Sequence, residues 1–446
     1  MPEARENSRK HIAVFAFPFA THAAPVLSLV RKLSESAPDV SFSFFNTAQS
    51  NGSLFSKDDD FERVKPRSVD TGLPEGYTFG GSPQEPVNYF LKATPGNFKR
   101  AMADTGLPFD GIITDAFFWF AKEIAEEIRV PWVPYFTAGP RPLLVHVDMD
   151  DIRARIGINE PEDQTLDFLP GFSAIRAEDL PDGIISGSLD SPFAKMLHKM
   201  GQMLPHASAV AINSFEEIDP IVVQALKSRL SNFLNIGPFI LRSPPIYDSD
   251  IHDCIGWLNQ HPKSSVVYIG FGSVITPPPH ELEALAEALE ACEFPFLWSF
   301  RGNAEEMLPK EFRERTKDIG MIVPWTPQLK VLGHPSVGVF VTHCGWNSVS
   351  ESIIGGVPMI CRPFFAEQKL NQRTVEAVWG FGVDVEGGKF TKDGTIKALK
   401  MILTSEKGKL MREKIGVFKE LALKAVGPDG TSTANFNFLV DFITRC

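Results

Sequence analysis

A chain of 446 residues exceeds what one hydrophobic core ordinarily organises, so two domains are expected. Its formal charge is −11 and no basic stripe runs through it, which argues against a nucleic-acid partner. Apolar residues make up 43% and charged residues 22%, a globular composition, and no window approaches 18 apolar positions in a row, so no membrane-spanning helix is expected.

The opening MPEARENSRKHIAVFAF holds one short apolar strand but neither a long h-region nor a cleavage site, which makes the cytosol the expected location. Along the first half, strand-like runs fall at 12–17, 41–45, 111–114, 132–135 and 209–213. A second set falls at 265–271, 296–299, 321–324, 337–341, 359–361 and 382–385. Helical patterns alternate with both sets, the signature of parallel sheets built from βαβ units. Between them, residues 235–253 are rich in Pro, Asp and Ser and read as a linker. The expected fold is α/β, two doubly wound Rossmann-like domains facing across a cleft, with the active site between them. The five cysteines (254, 292, 344, 361, 446) are odd in number and scattered, with no CxxC pair, which fits a reducing compartment better than a disulfide framework or a zinc site.

Two residues of the first half have chemistry to offer. His22 lies in FPFATHAAP (17–25), just past the first strand, where Pro25 suits the first turn of the next helix. Asp115 follows GIIT (111–114), at another strand's carboxyl end. Parallel strands bring such ends to one edge, so the pair can meet although 93 positions separate them. A carboxylate on one imidazole nitrogen fixes the tautomer while the other nitrogen removes a proton. The plain alternative is a loop histidine and an unrelated helix-capping aspartate.

The most informative stretch is 325–368, WTPQLKVLGHPSVGVFVTHCGWNSVSESIIGGVPMICRPFFAEQ. It contains a buried strand (337–341), a polar turn and a helix (349–354). A loop after a parallel strand lies where open α/β sheets bind ligands, and a helix N-terminus there is a ready diphosphate site. His343, Asn347 and Ser348 surround that turn, although Asn347 and Ser348 also suit ordinary N-capping. Glu351, four residues after Asn347, shares its helical face and can bind a sugar diol. Trp325 can stack a flat base or fill a core. Gly272 and Ser273 close a strand and permit close phosphate approach, or form a simple tight turn.

Three other signals in the sequence point elsewhere and carry less. Asp148 and Asp150 have the DxD spacing that metal-dependent sugar-nucleotide enzymes use, but acidic residues are expected in a first helical turn and no further hard ligands lie nearby. A dinucleotide fingerprint fails because Ile275 stands where the third glycine belongs. No G-x-S-x-G elbow exists for a serine hydrolase.

Residues 325–368 closely resemble, over all 44 positions, the signature box of plant family 1 UDP-sugar glycosyltransferases, with WTPQ opening it, THCGWNS at its centre and EQ closing it. FPFATHAAP, TDAFFWFA (114–121), YFTAGP (135–140), LPG (169–171), INSFEEID (212–219), FGSVITPPP (271–279) and RPFF (362–365) resemble the flavonoid and anthocyanidin 3-O-glucosyltransferase branch, so the likeness covers essentially the whole chain. It implies a GT-B fold and an inverting, metal-independent hexosyltransferase of plant secondary metabolism. The expected layout is an acceptor-binding domain at 1–236, a linker at 237–253, a UDP-sugar-binding domain at 254–428, and a C-terminal helix at 429–446 packing back on the first domain.

By the same resemblance His22 is the base and Asp115 its orienting partner. Trp325 stacks uracil, Gln328 lies beside the nucleotide and Glu351 holds the ribose. His343, Asn347, Ser348 and Ser273 hold the diphosphate, while Trp346, Glu367, Gln368 and Thr137 line the sugar. Gln84, Phe117, His146 and Phe365 border the aromatic acceptor. The implied partners are UDP-glucose as co-substrate, with no cofactor, and a flavonol or anthocyanidin attacked through its 3-hydroxyl by a cytoplasmic monomer. UDP-galactose, another hydroxyl, or a non-catalytic binding protein on the same scaffold are the alternatives. Gln368 favours glucose, since galactose-using relatives often place His there. Departures from the branch are Arg141 after TAGP, where Asn or another small polar residue is common, Glu367 in place of Asp, and segments after Phe61 and before Asp115 that look shortened. Arg141 is expected to reshape the sugar or acceptor edge.

Overall fold

A computed structural model describes residues 9–19, 21–55, 62–78, 84–159, 164–242 and 250–446. Its contacts divide the chain into two compact units, one of residues 1–160, 182–243 and 425–446 and the other of residues 161–181 and 244–424.

The first unit is built on seven strands: β1 (Lys10–Phe15), β2 (Val40–Thr47), β3 (Val64–Val69), β4 (Gly111–Asp115), β5 (Trp132–Phe136), β6 (Val210–Ile212) and β7 (Phe233–Asn235). All pair in parallel, in the order β3-β2-β1-β4-β5-β6-β7. β1 and β4 are buried along most or all of their length, which is why both read as continuous apolar runs. The two strands that apolar patterning does not reveal, β3 and β7, are the sheet's edges. β3 exposes alternate positions and carries Pro66, tolerated because an edge strand need not donate on its outer side. β7 has only three residues.

The C-terminal helix Thr431–Arg445 completes this unit's core. Its Phe436, Leu439 and Ile443 join a buried cluster with Val14, Val133, Leu234 and Phe239. Polar anchors flank that face: Thr431 Oγ1 donates to Glu217 at 2.9 Å, and Asn435 Nδ2 donates to the Asn235 carbonyl at 3.2 Å.

The second unit repeats the winding with six parallel strands: β8 (Val266–Gly270), β9 (Phe296–Ser299), β10 (Gly320–Val323), β11 (Val337–Thr342), β12 (Met359–Cys361) and β13 (Gly382–Asp384), ordered β10-β9-β8-β11-β12-β13. In each sheet the strand order reverses beside the first strand, between β1 and β4 and between β8 and β11, and that reversal is where doubly wound folds open a ligand crevice. Residues 164–181 pack with this unit rather than with the first half of the sequence. Arg373 Nε donates to the Ala174 carbonyl at 2.9 Å, and buried Asp179 lies 3.6 Å from Arg373.

Arg141 does not shape a substrate edge through its charge, because it is an interior ion pair. Its Nε lies 2.6 Å from Asp219 Oδ2, and the two residues are 3% and 6% exposed. Burial pulls the guanidinium pKa down and pushes the Asp219 carboxyl up, and each is opposed by its partner. Breaking such a pair strands a charge. Asp219→Asn is therefore expected to cost about 3–5 kcal/mol, read as a drop in denaturation midpoint, whereas Arg141→Met combined with Asp219→Leu recovers most of it. Equal losses in the single and double variants would remove the ion pair as the cause.

Candidate active site

In the first unit, His22 and Asp115 stand on the two strands that flank the reversal. His22 is the N-cap residue of helix Ala23–Ser36, seven positions past β1, and Asp115 is the last residue of β4. Pairing of Phe15 with Thr114 aligns those strand ends, so the two side chains meet: His22 Nδ1 lies 2.8 Å from Asp115 Oδ2. The carboxylate is 1% exposed and its other oxygen accepts the Phe117 backbone N–H at 3.0 Å, which fixes its orientation. With an acceptor on Nδ1, the neutral ring keeps its proton there and Nε2 is the basic nitrogen.

Two further predicted residues, Thr137 and Phe117, lie beside the pair. Thr137, just past β5, places its Oγ1 3.3 Å from His22 Nδ1, beside the imidazole. The Phe117 ring lies 4.4 Å from the imidazole and Phe17 packs at 5.4 Å, an aromatic wall on one side of it. His146, in helix Pro140–Val147, is buried and its pKa is pushed down to about 4 by desolvation, so it stays neutral. Its Nδ1 has no hydrogen-bond partner among the described residues. Gln84 is exposed at the start of helix Gln84–Ala93, and its preceding residues 79–83 lie outside the described ones. Phe193, 5.8 Å from Phe117, is an aromatic neighbour that sequence reading passed over.

In the second unit, the turn after β11 is held from three sides. Cys344 adopts a left-handed backbone (φ 63°), and its carbonyl accepts Asn371 Nδ2 at 3.0 Å. Helix Trp346–Gly355 begins at Gly345 with no side-chain cap. Asn347 and Ser348 are therefore not capping residues, and the helix's N-terminal end carries the partial positive charge that suits an anion. The His343 ring fits between two glycines: a Cβ on Gly272 would lie 2.7 Å from its Cε1, and one on Gly345 2.5 Å from its Nε2. Desolvation pushes His343 down to about 4, so the imidazole is neutral at physiological pH.

A polar chain links the nucleotide-side residues. The Tyr268 hydroxyl, fully buried, donates to Gln328 Oε1 at 2.9 Å and lies 2.8 Å from Thr326 Oγ1. Gln328 Nε2 in turn donates to the Glu351 carboxylate and, at 3.4 Å, to Ser348 Oγ. Gln328 and Glu351 thus share one network rather than acting apart. Tyr268 is invisible to sequence reading because an aromatic inside an apolar strand looks like core. Trp325 is 49% exposed, so its ring is available for stacking rather than filling a core, while Trp346 is buried at 5%. Ser273 follows β8 immediately after Gly272 (φ +73°). Glu367 precedes helix Gln368–Arg373, and Phe365 is 43% exposed. Gln368 Oε1 accepts the Phe364 and Phe365 backbone N–H groups at 2.9 and 3.3 Å, so what it offers a sugar is its NH2 group.

The DxD signal dissolves. Asp148 pairs with Arg229 at 2.7 Å and Asp150 with His198 at 2.6 Å, and no group of three His, Cys, Asp or Glu side chains among the described residues is placed to hold a metal ion.

Comparison with known proteins joins these parts. Residues 251–415 match the family model described as UDP-glucoronosyl and UDP-glucosyl transferase. The chain is 53% identical to a flavonoid 3-O-glucosyltransferase of Medicago truncatula, covering 99% of this chain and 98% of that one. It is 51% identical to an anthocyanidin 3-O-galactosyltransferase of Actinidia chinensis var. chinensis, with 99% and 98% covered. The crystal structure of a UDP-glucose:anthocyanidin 3-O-glucosyltransferase in complex with UDP superposes with a TM-score of 0.94 at 40% identity, covering 99% of this chain and all of that one. With two parallel Rossmann-like sheets of the GT-B type and full-length likeness at this level, the chain belongs to the UDP-glucoronosyl and UDP-glucosyl transferase family.

Proposed function

We propose that this protein is an inverting, cytosolic, monomeric glucosyltransferase that moves glucose from UDP-glucose to the 3-hydroxyl of a flavonol or anthocyanidin, with no metal or cofactor. The observation that carries this reading is the 2.8 Å His22–Asp115 contact at the sheet reversal, a general base already oriented by its carboxylate. The acceptor hydroxyl gives its proton to His22 Nε2 as its oxygen attacks the anomeric carbon from the face opposite UDP, so an α-linked donor yields a β-linked product. The C–O bond to the diphosphate breaks, and the charge gathering on UDP is met by the N-terminal end of helix Trp346–Gly355 and by His343. Names of relatives at about half identity support the acceptor class and the 3-position.

Galactose is the second reading, since a 3-O-galactosyltransferase is 51% identical. Gln368, whose oxygen is committed to its own loop, favours glucose. Quercetin supplied with UDP-glucose or UDP-galactose, with products located by NMR, decides: the 3-O-β-glucoside is expected to dominate. UDP bound tightly without turnover would sink the enzyme reading.

His22→Ala is expected to lower kcat by ~10²–10⁴ while leaving UDP affinity unchanged, measured by single-turnover kinetics and UDP titration. Asp115→Asn is expected to lower kcat by a smaller factor with little change in donor KM. Full activity in the alanine variant contradicts the base assignment. On the donor side, Gly272→Ala forces a Cβ into His343 at a positive φ, and UDP affinity should fall about tenfold or more with the circular dichroism spectrum intact. Unchanged UDP binding in that variant would separate His343 from the diphosphate.

A further inference from the structure

Sheet order converts chain order into a spatial row on the donor side. Along the carboxyl edge of the second sheet, Trp325 follows β10, Arg301 follows β9, Ser273 follows β8, His343 follows β11, and Glu367 and Gln368 follow β12. Neighbouring strands lie ~4.8 Å apart, so each is one step along the edge. On the donor reading proposed above, the row runs uracil, an unassigned position, diphosphate, sugar.

Arg301 fills the unassigned position. Its guanidinium carbon lies 5.5 Å from the centre of the Trp325 ring, within cation–π range, and its Nη1 donates to the Ser273 carbonyl at 3.3 Å. One side chain thus spans from the stacking indole to the phosphate-side serine. It is also a charge without a counter-ion: among the described residues no carboxylate lies in ion-pair range, in a chain with 55 acidic side chains. Partial burial disfavours a charge that has no counter-ion and pulls the guanidinium's pKa down. An anion beside it removes the penalty, and the planar fork of an arginine suits phosphate oxygens.

We infer that Arg301 is a donor-binding residue whose guanidinium supplies positive charge to the diphosphate of a nucleoside diphosphate sugar, from a post between the base-stacking Trp325 and the His343 turn. This rests on the donor reading above, and the test separates the two. Titrations of the full-length protein with UDP and with uridine, followed by calorimetry, compare wild type, Arg301→Gln and Arg301→Lys. Arg301→Gln is expected to weaken UDP about tenfold and uridine less than about twofold, with a shallower dependence of UDP affinity on salt. Arg301→Lys, which keeps the charge, is expected to restore most of the UDP affinity, and thermal midpoints of both variants should stay near wild type. Wild-type affinity for UDP in Arg301→Gln overturns the inference and leaves the donor site standing. Equal weakening of UDP and uridine also overturns it, because Arg301 then only props the Trp325 ring. Failure of the wild-type protein itself to bind UDP overturns the donor reading and this inference together.

Discussion

A parallel strand buried on both faces can present a side chain to a ligand only where it ends. That constraint organises everything chemical in this protein. Asp115 closes β4, Thr137 follows β5 and His22 lies one loop past β1. In the other unit, Ser273, Arg301, Trp325, His343 and Gln368 each follow a different strand. The middle of each sheet can then be largely apolar and rigid, while the polar side chains of the site gather where the strands end. Because each unit reverses its strand order beside its first strand, the loops diverge at one point, and the residues around that point are the ones with reactive chemistry.

Orientation in these sites comes from polar groups that the protein satisfies internally before any ligand arrives. Asp115 is locked by the Phe117 N–H, Gln328 by Tyr268, and the left-handed Cys344 by Asn371. Each anchor is a buried hydrogen bond that is costly to leave unmade and so resists rearrangement. His343 is held differently, by the bare backbone of Gly272 and Gly345 pressed against its ring. A net charge of −11 does not oppose an anionic donor in such a setting, since a helix N-terminus, oriented N–H groups and one uncompensated arginine act at short range.

Much of this was legible in the sequence. Apart from β7, every buried strand of both sheets shows as an apolar run, and His22, Asp115 and the turn at His343 stand where such runs end. The first sheet's edge strands were not legible: β3 is half exposed, and β7, though buried, has only three residues and ends in Asn235, too short a run to register. Tyr268 and Phe193 were missed because an aromatic in a core and an aromatic in a site have the same local pattern, and only the hydroxyl partner or the neighbouring ring tells them apart. Arg141, read as an altered substrate edge, is an interior charge whose partner Asp219 lies 78 positions later (219 − 141), beyond the reach of any local pattern. The segment 164–181 was placed with the wrong half for the same reason, since its anchor is Arg373.

The chain's path has a consequence for how the molecule is made. It passes between the two units four times, and the helix that closes the first unit's core follows the whole of the second unit's sheet in the chain. Domains usually condense in the order they leave the ribosome. Here the N-terminal sheet must wait, with the surface reserved for Phe436, Leu439 and Ile443 uncovered, until residues 431–445 emerge. Chimeras that join halves of two relatives at the 237–253 linker inherit the same dependence, because they pair one parent's sheet with the other parent's closing helix.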